Sequence, residues 1–92
     1  MATDTIIFTT LAVASTSTTF GASTTGYALT FITIINNGTN AITILQGSDS
    51  FVGSMSLTGG QGITFEASSN ETLPEIKITT GSGTTSVSVA HN

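Results

Sequence analysis

The stretch from Tyr27 to Gln46, Y-A-L-T-F-I-T-I-I-N-N-G-T-N-A-I-T-I-L-Q, limits what this chain can become more than any other. Two runs of β-branched and apolar residues, Ala28 to Ile35 and Ala41 to Leu45, flank the polar group Asn36-Asn37-Gly38-Thr39-Asn40. Branching at Cβ restricts χ1 and suits Val, Ile and Thr to a pleated strand. Asn37-Gly38 suits a tight turn because both residue types tolerate positive φ. The expectation is a β-hairpin.

Alternation along the first run puts Leu29, Phe31, Thr33 and Ile35 on one face and Thr30, Ile32 and Ile34 on the other. Both faces are largely apolar. A half-exposed strand alternates apolar with polar residues, whereas a strand covered on both sides reads like this one. In a small sandwich one face meets the opposite sheet. The other then requires a cover, either the N-terminal segment or a neighbouring subunit.

Charge is scarce, and its balance excludes several functions. Lys77 is the only Lys or Arg, set against Asp4, Asp49, Glu66, Glu71 and Glu75, for a formal net charge of -4. Nucleic-acid binding needs cations that neutralise phosphates, and an anionic membrane surface attracts the same cations, so neither partner is expected. Without cysteine there is no disulfide framework and no thiolate metal site. The polar share is carried by 20 Thr and 12 Ser. Apolar residues are nevertheless frequent and grouped in strand-like runs, which is the pattern of a folded β protein and not of a disordered one.

No apolar run approaches the ~20 residues of a spanning helix. The start, M-A-T-D-T-I-I-F-T-T-L-A-V-A-S, lacks the basic region of a signal peptide and is broken by Thr9-Thr10, so export by that route is not expected. Residues 1–26 read as an N-terminal arm followed by a Ser/Thr-rich loop, and 27–92 as the folded domain. Ile6, Ile7, Phe8, Leu11 and Val13 make Thr3 to Ala14 either an edge strand or an arm that docks on another subunit. Ser15 to Gly26 reads as an extended loop with Phe20 as its anchor.

Beyond the central stretch, Phe51 to Leu57 gives a weaker strand, and Thr58-Gly59-Gly60-Gln61-Gly62 a tight turn. Ile63, Phe65 and Ala67 alternate with polar residues, as do Ile76 with Ile78 and Val87 with Val89. Pro74 is compatible only with a strand's start or edge. About seven strands at short, regular spacing, without helical period, predict an all-β fold. The specific expectation is a small antiparallel β-sandwich, jelly-roll-like, with an extended N-terminal arm.

No catalytic constellation emerges, and the chain reads as a non-enzyme with no cofactor and no metal. His91, the one histidine, lies beside the C-terminus, where residues usually fray, and reads as a solvated tail residue. Glu66, Glu71 and Glu75 are not forced to converge and read as surface groups. A calcium site at Asp49 or near Glu71 has little support. The sequons Asn37-Gly38-Thr39 and Asn70-Glu71-Thr72 are the kind that a Ser/Thr-rich chain produces by chance. The aromatic rings Phe8, Phe20, Tyr27, Phe31, Phe51 and Phe65 read first as core residues and second as a sugar-stacking platform.

From Tyr27 onward three segments together resemble small β domains of tailed-bacteriophage virion proteins. They are I-T-I-I-N-N-G-T-N-A-I-T-I-L-Q-G-S-D at 32–49, G-G-Q-G-I-T-F-E-A at 59–67, and N-E-T-L-P-E-I-K-I-T-T-G-S-G-T-T-S-V-S-V at 70–89. The resemblance implies a capsid decoration (cement) protein or head-fibre base, commonly a homotrimer on the outer surface of the capsid and bound to the major capsid protein. A cement protein buries surface across capsomer boundaries and requires no active site. Ser and Thr supply neutral hydrogen bonds for such a contact, and Ile and Phe supply its apolar area. The candidate contact residues, toward capsid or sister subunit, are Ile6, Ile7, Phe8, Leu11, Val13, Phe20, Leu29, Phe31, Ile32 and Ile34. One alternative is a receptor- or carbohydrate-binding module of a phage fibre that uses Tyr27, Phe20 or Phe51. Another is a filament subunit that donates its N-terminal segment as a strand.

Overall fold

The computed structural model describes residues 6–16, 18–46 and 54–92, leaving the side chains of Gln46 and Ser54 aside. Through them run eight strands: β1 (Ile7–Val13), β2 (Thr18–Phe20), β3 (Phe31–Asn36), β4 (Ile42–Gln46), β5 (Ser54–Leu57), β6 (Gly62–Glu66), β7 (Ile76–Thr80) and β8 (Thr85–His91). A four-residue helical turn, α1 (Ala22–Thr25), follows β2.

The strands pair as nested antiparallel couples, β1 with β8, β2 with β7, β3 with β6 and β4 with β5. Further pairs, β3 with β8 and β4 with β7, join the couples into two four-stranded sheets ordered β1-β8-β3-β6 and β2-β7-β4-β5. That order is the jelly roll. Turns and alternation alone are compatible with several other routes.

Alternation decides the core. Ile32 and Ile34 of β3 and Val87 and Val89 of β8 point inward from the first sheet. Ile42 and Ile44 of β4 and Ile76 and Ile78 of β7 meet them from the second, with Phe20 and Leu57 at its edges. Ile63 and Phe65, on the edge strand β6, are only partly buried against this core. Complete burial of an Ile or Val side chain is worth about 1.5–3 kcal/mol, so this interior layer is the main source of stability.

Three expectations are corrected. The stretch around Asn37-Gly38 is not a hairpin, because β3 and β4 belong to different sheets and never pair. The chain arches across the sandwich there, and neither Asn37 nor Gly38 has positive φ. The division at residue 26 also fails: β1 pairs with β8 over its whole length, and Val13 is completely buried. Ile7–Val13 is thus the edge strand of the domain, since its inward residues complete the core. Finally, the loop expected at 15–26 contains β2 and α1, with Phe20 buried in the core as an anchor should be. The start of the strand expected at 51 lies outside the described residues.

What closes the arch is Asn36. Its side chain is 0% exposed, and all four hydrogen-bonding positions of its carboxamide are filled. Nδ2 donates to the main-chain O of Asn40 (2.8 Å) and of Leu57 (3.1 Å). Oδ1 accepts from the Gly38 N–H (3.0 Å) and the Thr85 hydroxyl (2.9 Å). Its backbone adds a bond to Gln61 O (2.9 Å) and one from the Gly60 N–H (2.7 Å). Gly38 is required because of crowding: a Cβ there would lie 1.7 Å from Thr85 Oγ1. A Cβ on Gly59 would lie 2.4 Å from Gly38 O, so the neighbouring turn also needs its glycine.

Replacing Asn36 with Ala leaves two carbonyls, an N–H and a hydroxyl without that partner. At about 1–3 kcal/mol for each buried group left unsatisfied, and some relief from water, a loss of about 3 kcal/mol is expected. In a domain of this size that lowers the thermal midpoint by roughly 12–24 °C. Asn37→Ala, at an exposed position, should shift it by only a few degrees. Calorimetry of the two variants checks this, and equal shifts would remove Asn36 from its central place.

Candidate interaction surface

Among the described residues no three His, Asp or Glu side chains cluster as a metal site would. Glu66 ends β6 opposite Phe31, and Glu71 lies in the loop before β7. Asp49 lies outside the described residues. Glu75 has a specific role, with Oε1 accepting the Ser23 N–H of α1 at 2.7 Å. Hydrogen bonds from Ser23, first from its hydroxyl and then from its backbone, hold the Glu75 carboxyl below its ordinary value of 4.5, against a small opposing effect of burial.

His91 is not the frayed tail residue expected. It closes β8 between Ile7 and Ile32, only 3% exposed, with its ring edge-on to Phe20 at 5.1 Å. Its Nδ1 donates to the Asn92 main-chain O at 2.6 Å. The same oxygen accepts the Tyr27 hydroxyl (2.6 Å), and Asn92 Oδ1 accepts the Thr30 N–H (2.8 Å). These bonds fasten the end of β8 to the start of β3. The signal was present in the sequence, since His91 continues the inward alternation of Val87 and Val89.

The proposed contact residues separate into three groups, buried, partly buried and exposed. Val13, Phe20, Leu29, Ile32 and Ile34 are core residues that no partner can reach, which corrects their assignment to an interface. Leu11 is partly buried against that core. Phe31 is half-buried on the outer face of the first sheet. Ile6, Ile7 and Phe8 are exposed at the start of β1, Phe8 most of all at 79%.

Register explains what surrounds Phe8. On the outer face of the first sheet Phe8 lies beside Ala90, which lies beside Thr33, while Thr10, Ser88 and Ile35 form the next row. The middle strand β8 thus contributes only Ser and Ala between larger neighbours. A groove of about 180 Å³ results, lined by Phe8, Thr10, Thr33, Ile35, Ser88 and Ala90 among others. Ile35, 39% exposed, belongs to this surface although it was not among the expected contacts. Its parity with Phe31 was the available signal.

The first sheet's outer face is therefore apolar and hydroxylic, with Glu66 confined to the far edge strand. The edge strand β1, I-F-T-T-L-A-V, carries no charge and no proline, the usual guards against pairing with another chain. Across β1, β8 and β3 such a surface offers apolar and hydroxyl side chains. The other singled-out positions are structural: Asn37 donates to the Ser88 hydroxyl, Asn70 adopts a left-handed φ of 65° in a turn, and Gly60 shapes the turn at 59–60. The chain matches no family model, no curated protein and no solved structure.

The Glu75 bond generates a pH dependence. Because the folded carboxyl titrates below 4.5, its contribution is present in full above that value and is lost as pH falls through the lower folded midpoint. Carboxyl-detected NMR should place the Glu75 midpoint below 4.5, with the Ser23 amide signal following the same curve. A midpoint at or above 4.5 would contradict the bond.

Proposed function

We propose that this chain is a structural subunit that acts by association: a homotrimeric decoration protein on the outer surface of a bacteriophage capsid, bound to the major capsid protein. The observation that carries the reading is the exposed Phe8–Ile35 surface beside the unguarded edge strand β1. A monomer seldom leaves such an edge and such a ring uncovered. The jelly-roll strand order and the resemblance of segments 32–49, 59–67 and 70–89 supply the virion context. The fold alone is only an analogy, because one fold serves many functions.

In this reading the protein performs no reaction. It reinforces a shell by burying apolar area across subunit boundaries, and its small core is supported in turn by the copies around it. The carbohydrate-binding alternative is weakened, because Phe20 is core and the Tyr27 hydroxyl is engaged by Asn92, while Phe51 lies outside the described residues. Strand donation into a filament would first require β1 to leave β8, breaking a seven-residue register.

The test combines mass and binding. Light scattering after size exclusion should give three times the chain mass at micromolar concentration, and purified shells that lack the protein should bind it and resist heat better. A monomer that leaves the shells unbound overturns the proposal. Deleting residues 1–14 is a poor probe, because it removes β1 and Val13 and should unfold the domain.

A further inference from the structure

We infer that Asn37-Gly38 is a site of self-modification by deamidation, which the Asn36 carboxamide holds shut in the folded chain. The chemistry needs no partner and holds whatever the subunit binds.

An asparagine side chain is open to attack by the main-chain nitrogen that follows it. Here the Gly38 nitrogen bonds to Asn37 Cγ, the Cγ–Nδ2 bond breaks, and Nδ2 leaves as ammonia, carrying the amide proton. A five-membered succinimide remains. Water opens it at either carbonyl and leaves an aspartyl or an isoaspartyl group at position 37. Water is the co-reactant, and nothing is oxidised or reduced. The ring closes fastest before glycine, which has no Cβ to obstruct it and the freest backbone. Asn37 precedes Gly38, whereas Asn36, Asn40 and Asn70 precede Asn37, Ala41 and Glu71. Packing fixes this choice, because a Cβ at position 38 would collide with Thr85. The glycine that the arch demands thus makes its neighbour labile.

Three hydrogen bonds restrain the reacting atoms. The nucleophile is the Gly38 nitrogen, and its N–H donates to Asn36 Oδ1 at 3.0 Å. Because Asn36 is 0% exposed, the proton that must be removed points into the molecule, away from any base in water. Asn37 Nδ2 donates to the Ser88 hydroxyl, and the Asn37 N–H donates to Ser86 O at 2.9 Å. Asn37 itself is exposed, so water reaches it for the second step. Attack requires the Gly38 N–H to leave Asn36 and the Asn37 side chain to turn from Ser88 toward it. Local opening of the arch is enough, and the core strands stay paired. Conversion is then one-way. An isoaspartyl linkage routes the main chain through the side chain, lengthens it by an atom and carries the Gly38 N–H away from Asn36 Oδ1.

The test incubates native and urea-unfolded wild type in mildly alkaline buffer and follows each asparagine by mass spectrometry after digestion. In urea, position 37 should convert first. In the native chain it should convert at least about 10-fold more slowly, as expected of a site reached by opening. That slowing should be at least as large as the protection of the Gly38 N–H against hydrogen exchange, measured by NMR. Asn36→Ala should remove most of the slowing. Ile78→Ala, a core truncation that also destabilises but leaves the carboxamide in place, should retain more of it. Purified isoaspartyl chain should melt below wild type. Native and unfolded chains that convert at one rate overturn the proposal, as do equal rates in the two variants or an isoaspartyl chain that melts with wild type. If neither variant folds, the wild-type comparison decides: conversion slowed less than Gly38 N–H exchange means that the Asn36 bond is not the gate, and the proposal falls.

Discussion

The sandwich depends on a buried carboxamide. A chain that passes from one sheet to the other must carry polar backbone past the end of an apolar core, and each unpaired N–H or C=O there is costly. Asn36 resolves this with a single short side chain. It takes two carbonyls on its nitrogen and an N–H and a hydroxyl on its oxygen, drawn from four places in the chain: Gly38, Asn40, Leu57 and Thr85. Asp offers no donor for the carbonyls, and Leu offers nothing to either set. The same residue holds the 58–61 turn through its backbone. Three turns at one end of the molecule are thereby tied to one atom group, and the tight approach of Gly38 to Thr85 and of Gly59 to Gly38 follows from it.

The other end is held differently. There His91 packs against Phe20 from the opposite sheet, and Asn92 receives bonds from Tyr27 and Thr30. The nested pairing makes this matter, since β8 lies between β1 and β3 in the first sheet. Loosening its last residues would release β1 on one side and the start of β3 on the other. The two ends together keep β8 central, and a central β8 of small outward residues is what leaves the groove on the outer face.

Strands that alternate apolar with polar residues were legible from their residues alone: Ile63 and Phe65, Ile76 and Ile78, Val87 and Val89 all face inward as their spacing demands. The Leu29–Ile35 segment was not, because both of its faces are apolar. Parity separated Ile32 and Ile34 from Phe31 and Ile35 correctly, but nothing local said which pair was inside. Leu29 leaves the pattern because it precedes β3 and turns into the core. At Asn36-Asn37-Gly38 the general preference of Asn-Gly for hairpins misleads, because here the glycine answers to crowding from Thr85 at the start of the distant β8. A long-range contact of that kind leaves no local trace. Of the surface, Ile6, Ile7 and Phe8 were recoverable, since an apolar run at an edge strand is visible in sequence. Ile35 and the small side chains of β8 acquire meaning only once the register sets them beside Phe8.

The two outer faces show how the fold distributes what little charge it has. Lys77 lies outward on the second sheet, among Thr19, Thr43, Leu45 and Thr79, and reads as an ordinary solvated face with one cation. The first sheet instead turns Phe8, Phe31 and Ile35 outward around a strip of Ser and Ala. Composition does not force this asymmetry, because threonine is plentiful enough to clothe both sheets. An apolar face costs solubility in a chain whose net charge is only -4, and its edge strand lacks the guards that prevent pairing. The placement of a few side chains, and not the composition, thus sets the outer face of the first sheet apart from that of the second.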